Sequence, residues 1–82
     1  MRVHFTDTAQ EHFDNLTQLY RRRISKRLRF FVSQRDPLQF AEPLSGSNKE
    51  YRFRVGDYRI IFEVLNDILW ITAIKRRDEA YK

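Results

Sequence analysis

The residues of this chain best suited to chemistry are arginines. Arg52, Arg54 and Arg59 lie in the stretch YRFRVGDYRIIF, Tyr51 to Phe62, and Arg76 closes the apolar run that follows. A guanidinium is planar, permanently charged and able to hold a phosphate through two parallel N–H donors. Such groups align a sugar–phosphate chain and stabilise the charge that develops when an RNA 2′-hydroxyl attacks the neighbouring phosphate. That reaction needs no nucleophile from the protein, but it needs proton transfer at both ends, which arginine performs badly. Tyr81 is a phenol whose ionised form is favoured by surrounding cations, so it can act as a base. It can equally stack on a nucleobase, or simply pack on the edge of the core. His4 and His12 offer an acid–base pair for RNA cleavage, yet they fall on separate elements away from the arginines and read as surface residues. Glu63 is a further candidate base. The chain contains no cysteine, no glycine-rich phosphate loop and no metal-ligand spacing, so neither a metal nor a cofactor is expected.

The element that must position these arginines is a β-hairpin. Gly56-Asp57 is a two-residue turn between arms that alternate apolar with charged residues. Pairing Val55 with Tyr58 sets Arg54 opposite Arg59 and Phe53 opposite Ile60. Tyr51, Phe53, Val55, Tyr58, Ile60 and Phe62 then share a face suited to a core, and Arg52, Arg54 and Arg59 share the other. Like charges directly opposite each other destabilise a hairpin. An arginine-bearing face without interleaved acids therefore reads either as a solubilising surface or as a seat for a polyanion.

The remaining elements supply a core for that hairpin. Arg2 to Thr6 reads as a strand. A helix is expected from about Thr8 to Tyr20, with Thr8 and Glu11 at capping-box spacing and Ala9, Phe13, Leu16 and Leu19 or Tyr20 on one side. A second runs from about Arg21 to before Asp36-Pro37, carried by Ile24, Leu28, Phe31 and Val32. The pair forms a helical hairpin or one bent helix. Ser33 to Glu50 reads as an irregular connection, pinned by Leu38, Phe40 and Leu44. Asn66-Asp67 is another tight turn, and Ile68 to Lys75 a third strand of the meander. In unbroken alternation Leu69, Ile71 and Ala73 face the core, while Trp70, Thr72, Ile74 and Arg76 join the arginine face; one bulge would reverse this. The expected fold is α+β: an N-terminal strand, a two-helix hairpin, then a three-stranded antiparallel meander in one sheet with the helices on one face.

Eighty-two residues make one small domain, 1–82. A net charge of +5 and a pI near 10 call for an acidic partner. Arg22, Arg23, Lys26 and Arg27 add a basic helix face, which suits general phosphate attraction and, on the plainer reading, solubility. No apolar run approaches a membrane span, and the start lacks the long apolar segment of a signal peptide. A cytoplasmic protein without membrane contact is expected.

The chain resembles the RelE/ParE superfamily of bacterial and archaeal toxin–antitoxin toxins. The resemblance covers nearly its whole length: the order strand, two helices, three strands; the proline-bearing linker ending in Leu44-Ser-Gly46; and above all YRFRVGDYRIIF at Tyr51–Phe62 and KRRDEAY at Lys75–Tyr81. It implies a ribosome-dependent endoribonuclease that cuts messenger RNA by 2′-hydroxyl attack. It implies a cognate antitoxin that wraps and blocks the toxin and supplies any contact with operator DNA. Arg52 and Arg54 fall where the family binds phosphate, Arg59 where it places an arginine beside the scissile phosphate, Arg76 where a basic group assists the leaving group, and Tyr81 where a tyrosine orients the substrate base. The basic helix face would suit ribosomal RNA. Two departures bear on mechanism: arginine stands at Arg52 and Arg54 where lysine can serve as base, and Lys75 stands where many members carry histidine. The ParE branch, with the same fold but DNA gyrase as its target, and a non-catalytic RNA-binding module are the alternatives.

Overall fold

The computed structural model describes residues 1–44, 46 and 49–77. The described elements are β1 (Arg2–Phe5), α1 (Asp7–Asp14), α2 (Gln18–Ser33), a 3₁₀ turn (Pro37–Phe40), β2 (Glu42–Pro43), β3 (Glu50–Val55), β4 (Tyr58–Leu65) and β5 (Ile68–Arg76). One sheet holds all five strands in the order β1-β5-β4-β3-β2. β1 runs parallel to β5, and every other pair is antiparallel.

Both helices begin on a threonine cap. The Thr6 hydroxyl accepts from the Ala9 N–H at 3.2 Å, so α1 starts from Thr6 and not from the Thr8–Glu11 box. The Thr17 hydroxyl accepts from the Tyr20 N–H, and α2 begins at Gln18. The break between helices therefore falls at Asn15–Thr17, earlier than the expected Tyr20–Arg21. Arg21 seals the junction by donating to the carbonyls of Asp14 and Leu16. Of the two residues offered for the apolar side, Tyr20 is half-buried against Tyr58 and Leu19 is exposed.

The core lies between the helices and one face of the sheet. Ala9, Ile24, Leu28 and Phe31 meet Phe53, Val55, Ile60, Phe62, Leu69, Ile71 and Ile74. At its centre three rings lie nearly parallel: Phe31 on Phe53 at 4.2 Å and Phe53 on Phe62 at 4.4 Å. The hairpin has the expected register, with Val55 opposite Tyr58, Arg54 opposite Arg59 and Phe53 opposite Ile60. Gly56 has φ +59°, the left-handed conformation that this turn requires. Asn66 and Asp67 also take positive φ in the second turn, and Leu65 pairs with Ile68.

The connection after α2 is more ordered than its composition suggests. The Asp36 carboxylate caps the 3₁₀ turn by accepting from the Leu38 N–H, Pro37 opens that turn, and Glu42–Pro43 pairs with β3 as a two-residue edge strand. Leu38 packs on the core, whereas Phe40 is exposed and meets the rings of Phe30 and Phe31.

β5 departs from simple alternation. Ile61 pairs with Ala73 but Phe62 pairs with Ile71, so Thr72 is an extra residue, a bulge. Its hydroxyl donates to the Ile61 carbonyl. Past the bulge the parity inverts. Ile74, not Ala73, enters the core opposite Ile60, and Lys75 stands opposite Arg59 on the outer face.

Candidate functional site

The outer face, turned away from the helices, is organised in rows fixed by strand register. At the Gly56-Asp57 end, Lys75, Arg59 and Arg54 stand side by side on β5, β4 and β3. The next row holds Ala73, Ile61, Arg52 and, on the edge strand, Glu42. The row beyond holds His4, Trp70, Glu63 and Glu50. Cations therefore crowd one end of the face, and an aromatic pair occupies the other.

Three of the four arginines expected on this face are on it. Arg59 is 4% exposed. Among the described residues it makes no ion pair; its Nη1 donates to the Tyr58 carbonyl at a long 3.5 Å, and its Nε is buried without an acceptor. It stands between two like charges, Arg54 and Lys75. Burying an unpaired guanidinium is costly, so the site holds free energy that an anion would recover.

Arg52 and Arg54 are not bare, contrary to the sequence reading of a face without acids. Glu42 bridges them: its Oε2 accepts from Arg52 Nη2 at 2.9 Å, and its Oε1 lies 2.9 Å from Arg54 Nε. The hydrogen bond from Arg52, then the charge of Arg54, holds the Glu42 carboxyl below its ordinary value of 4.5. A depressed folded value means that the bridge is complete above 4.5 and is lost as pH falls through the lower folded value. The carboxylate occupies a donor of each guanidinium. Glu42→Gln is expected to tighten binding of a short single-stranded RNA about threefold at low salt, because a solvent-screened ion pair competes only weakly with the RNA phosphates. The difference should shrink as salt rises, and fluorescence anisotropy with a labelled oligoribonucleotide reads it.

Arg76 is the correction. Its Cα pairs with Tyr58, a core-side residue, so the bulge carries it off the arginine face. It lines a cleft of about 440 Å³ at the end of the sheet with His12, Asn15, Leu16, Tyr58, Ile74 and Lys75. His12 also belongs here, and not on open surface. Beyond Phe5 the chain leaves β1 for α1, and the Ile74 N–H donates to His12 Nδ1 at 3.2 Å. In the neutral ring this puts the proton on Nε2. Tyr81 lies outside the described residues.

The basic face of α2 lies on the far side of the molecule from the outer sheet face. Arg22, Arg23, Lys26 and Arg27 are all exposed. Arg23 lies over the Tyr20 ring and Arg27 over Phe30 and Phe31, at 4.9 and 4.7 Å from the centroids. Arg22 and Lys26, with Arg21 and Arg29, line a shallow groove beside Phe13. Lys75, noted in the sequence only at the family's histidine position, and Glu42 are the residues of this face that the sequence reading did not place on it. The parity change at Thr72 hid the first, and a two-residue strand too short to show periodicity hid the second.

An α-helical hairpin on one face of such a sheet is the architecture of RelE toxins of type II toxin–antitoxin systems. The chain is similar to the archaeal RelE–RelB complex from Pyrococcus horikoshii (26% identity, 93% of each chain, TM-score 0.72). It is also similar to a RelBE complex from Mycobacterium tuberculosis (23%, covering 93% of this chain and 96% of that one, TM-score 0.77). The isolated RelE toxin of Escherichia coli matches at 20% identity over 98% of this chain and 89% of that one, with TM-score 0.72. No curated protein matches by sequence. The family model of the ParE toxin of the parDE type II toxin–antitoxin system matches residues 3–81, and the chain belongs to that family. It is a type II toxin of the RelE/ParE superfamily.

Proposed function

We propose that this toxin is a ribosome-dependent endoribonuclease that cuts messenger RNA by attack of the RNA 2′-hydroxyl on the adjacent phosphate. The observation that carries this reading is Arg59: a buried guanidinium with no acid partner among the described residues and an Nε lacking an acceptor, flanked by Arg54 and Lys75. Arg59 takes the scissile phosphate and stabilises the charge of the phosphorane. Arg54, with Arg52 behind it, takes the flanking phosphate as Glu42 yields. Lys75 replaces Arg76 as the cation beside Arg59, and its ammonium can release a proton to the leaving 5′-oxygen where an arginine does so poorly. Arg76 then serves the cleft around the sheet end, and Tyr81, as its phenolate, takes the proton of the attacking 2′-hydroxyl while orienting the substrate base. Arg22, Arg23, Lys26 and Arg27 face ribosomal RNA. The solved relatives from Pyrococcus horikoshii and Mycobacterium tuberculosis are toxin–antitoxin complexes. By analogy a cognate antitoxin covers this toxin and mediates any contact with operator DNA.

A second reading, inhibition of DNA gyrase, is favoured by the ParE family match and by the absence of Arg76 from the arginine face. Induced expression followed by primer extension on ribosome-bound messages separates the two. Cuts at codon boundaries are expected. DNA double-strand breaks and an SOS response without such cuts would transfer the protein to the gyrase branch. Absence of growth arrest would leave a non-catalytic RNA-binding module.

A further inference from the structure

The outer face extends well past the arginines. His4 on β1 and Trp70 on β5 are cross-strand neighbours with ring centroids 4.9 Å apart, tilted by 59°. At that tilt the rings are not stacked face to face, and each keeps accessible surface. Neither residue takes part in the core, and His4 is exposed while Trp70 is partly so. Glu63 is the neighbour of Trp70 on the other side. Glu63 lies four strand steps beyond Arg59 on β4, about 13 Å at the rise of a strand, and Ile61 with Ala73 makes an uncharged floor between them. The face thus runs from cations, through an apolar step, to paired rings and a carboxylate.

We propose that His4 and Trp70 form a stacking shelf for a nucleobase of single-stranded RNA whose phosphates lie on Arg59 and Arg54. This rests on the reading of the arginine row as a phosphate seat. Single strands are commonly held by a cationic track for the backbone and aromatic rings for splayed bases, and Trp and His both serve as stacking partners. The carboxylate of Glu63 would repel a phosphate but accepts hydrogen bonds from the amino edge of a base. This orders the strand: phosphate at the arginine row, base at the shelf.

Trp70 is the sole tryptophan of the chain, so its fluorescence reports the shelf directly. The full-length toxin is titrated with a short single-stranded oligoribonucleotide, with inorganic polyphosphate and with polyglutamate, while anisotropy of a labelled RNA follows binding independently. RNA should quench Trp70, and polyphosphate should bind without quenching. Trp70→Leu should weaken RNA binding about tenfold and leave polyphosphate affinity unchanged, and Trp70→Phe should restore most of the loss. Circular dichroism checks that each variant is folded, and His4→Ala gives the same comparison without touching Trp70. RNA that binds without quenching, and equally well in Trp70→Leu and His4→Ala, would overturn the shelf and spare the arginine seat. Failure of RNA to bind at all would overturn both. Quenching by polyglutamate and not by RNA would overturn the proposal in favour of a protein partner.

Discussion

Arg59→Ala is expected to lower messenger-RNA cleavage at least about a hundredfold, the scale of losing one preorganised donor at a developing oxyanion, while the protein stays folded or becomes slightly more stable. The two halves of this expectation have one cause. Arg59 is 4% exposed, its Nε has no acceptor, and its cross-strand neighbours are Arg54 and Lys75. Alanine removes an unsatisfied donor and a like-charge repulsion, both of which oppose folding. The sequence reading gave Arg59 no part in the interior. Its burial makes the stability measurement informative, because an ordinary buried residue would cost stability on truncation. Primer extension on ribosome-bound messages measures the first effect, and thermal unfolding of the purified variant the second. Arg59→Lys, which keeps the charge but loses the planar fork, should recover only part of the activity. Full cleavage by Arg59→Ala would remove the proposed chemistry from this face.

The second large effect belongs to stability alone. Phe53 is fully buried and lies between Phe31 of α2 and Phe62 of β4, nearly parallel to both. It is the ring through which the helical layer and the sheet are joined. Phe53→Ala leaves a cavity facing two aromatic surfaces and should cost about 3–5 kcal/mol. A domain of this size has about 5–15 kcal/mol in total, so the unfolding midpoint should fall by at least about 12 °C. Calorimetry or a denaturant titration reads the change. A shift of only a degree or two would mean that the three rings do not hold the layers together.

How much of this was legible before the structure depends on how local the determining signal is. The hairpin register was legible because a two-residue turn at Gly56-Asp57 dictates every pair beyond it. The second turn at Asn66-Asp67 did the same for the first pairs of β4 with β5. The far half of β5 was not legible. Leu69, Trp70, Ile71, Ala73 and Ile74 are apolar at both parities, so alternation cannot reveal that Thr72 is skipped, and Arg76 was placed on the wrong side in consequence. The helix break was misplaced because Leu19 resembles a core position, while the decisive signal was the Thr17 cap. Glu42 was invisible for a different reason. Its bridge to Arg52 and Arg54 depends on β2 pairing with β3 across a loop, a long-range event that no local pattern encodes.

The placement of the two cationic surfaces has a further consequence. α2 turns Ile24, Leu28 and Phe31 inward and its arginines outward, whereas the sheet turns Arg54, Arg59 and Lys75 the opposite way. The molecule is therefore cationic on two opposite faces, with its buried apolar core between them. A single short strand cannot span both faces, but two separate polyanionic bodies can be bridged, one on each. Charge removed from one face leaves the other intact, so the two surfaces can be altered independently.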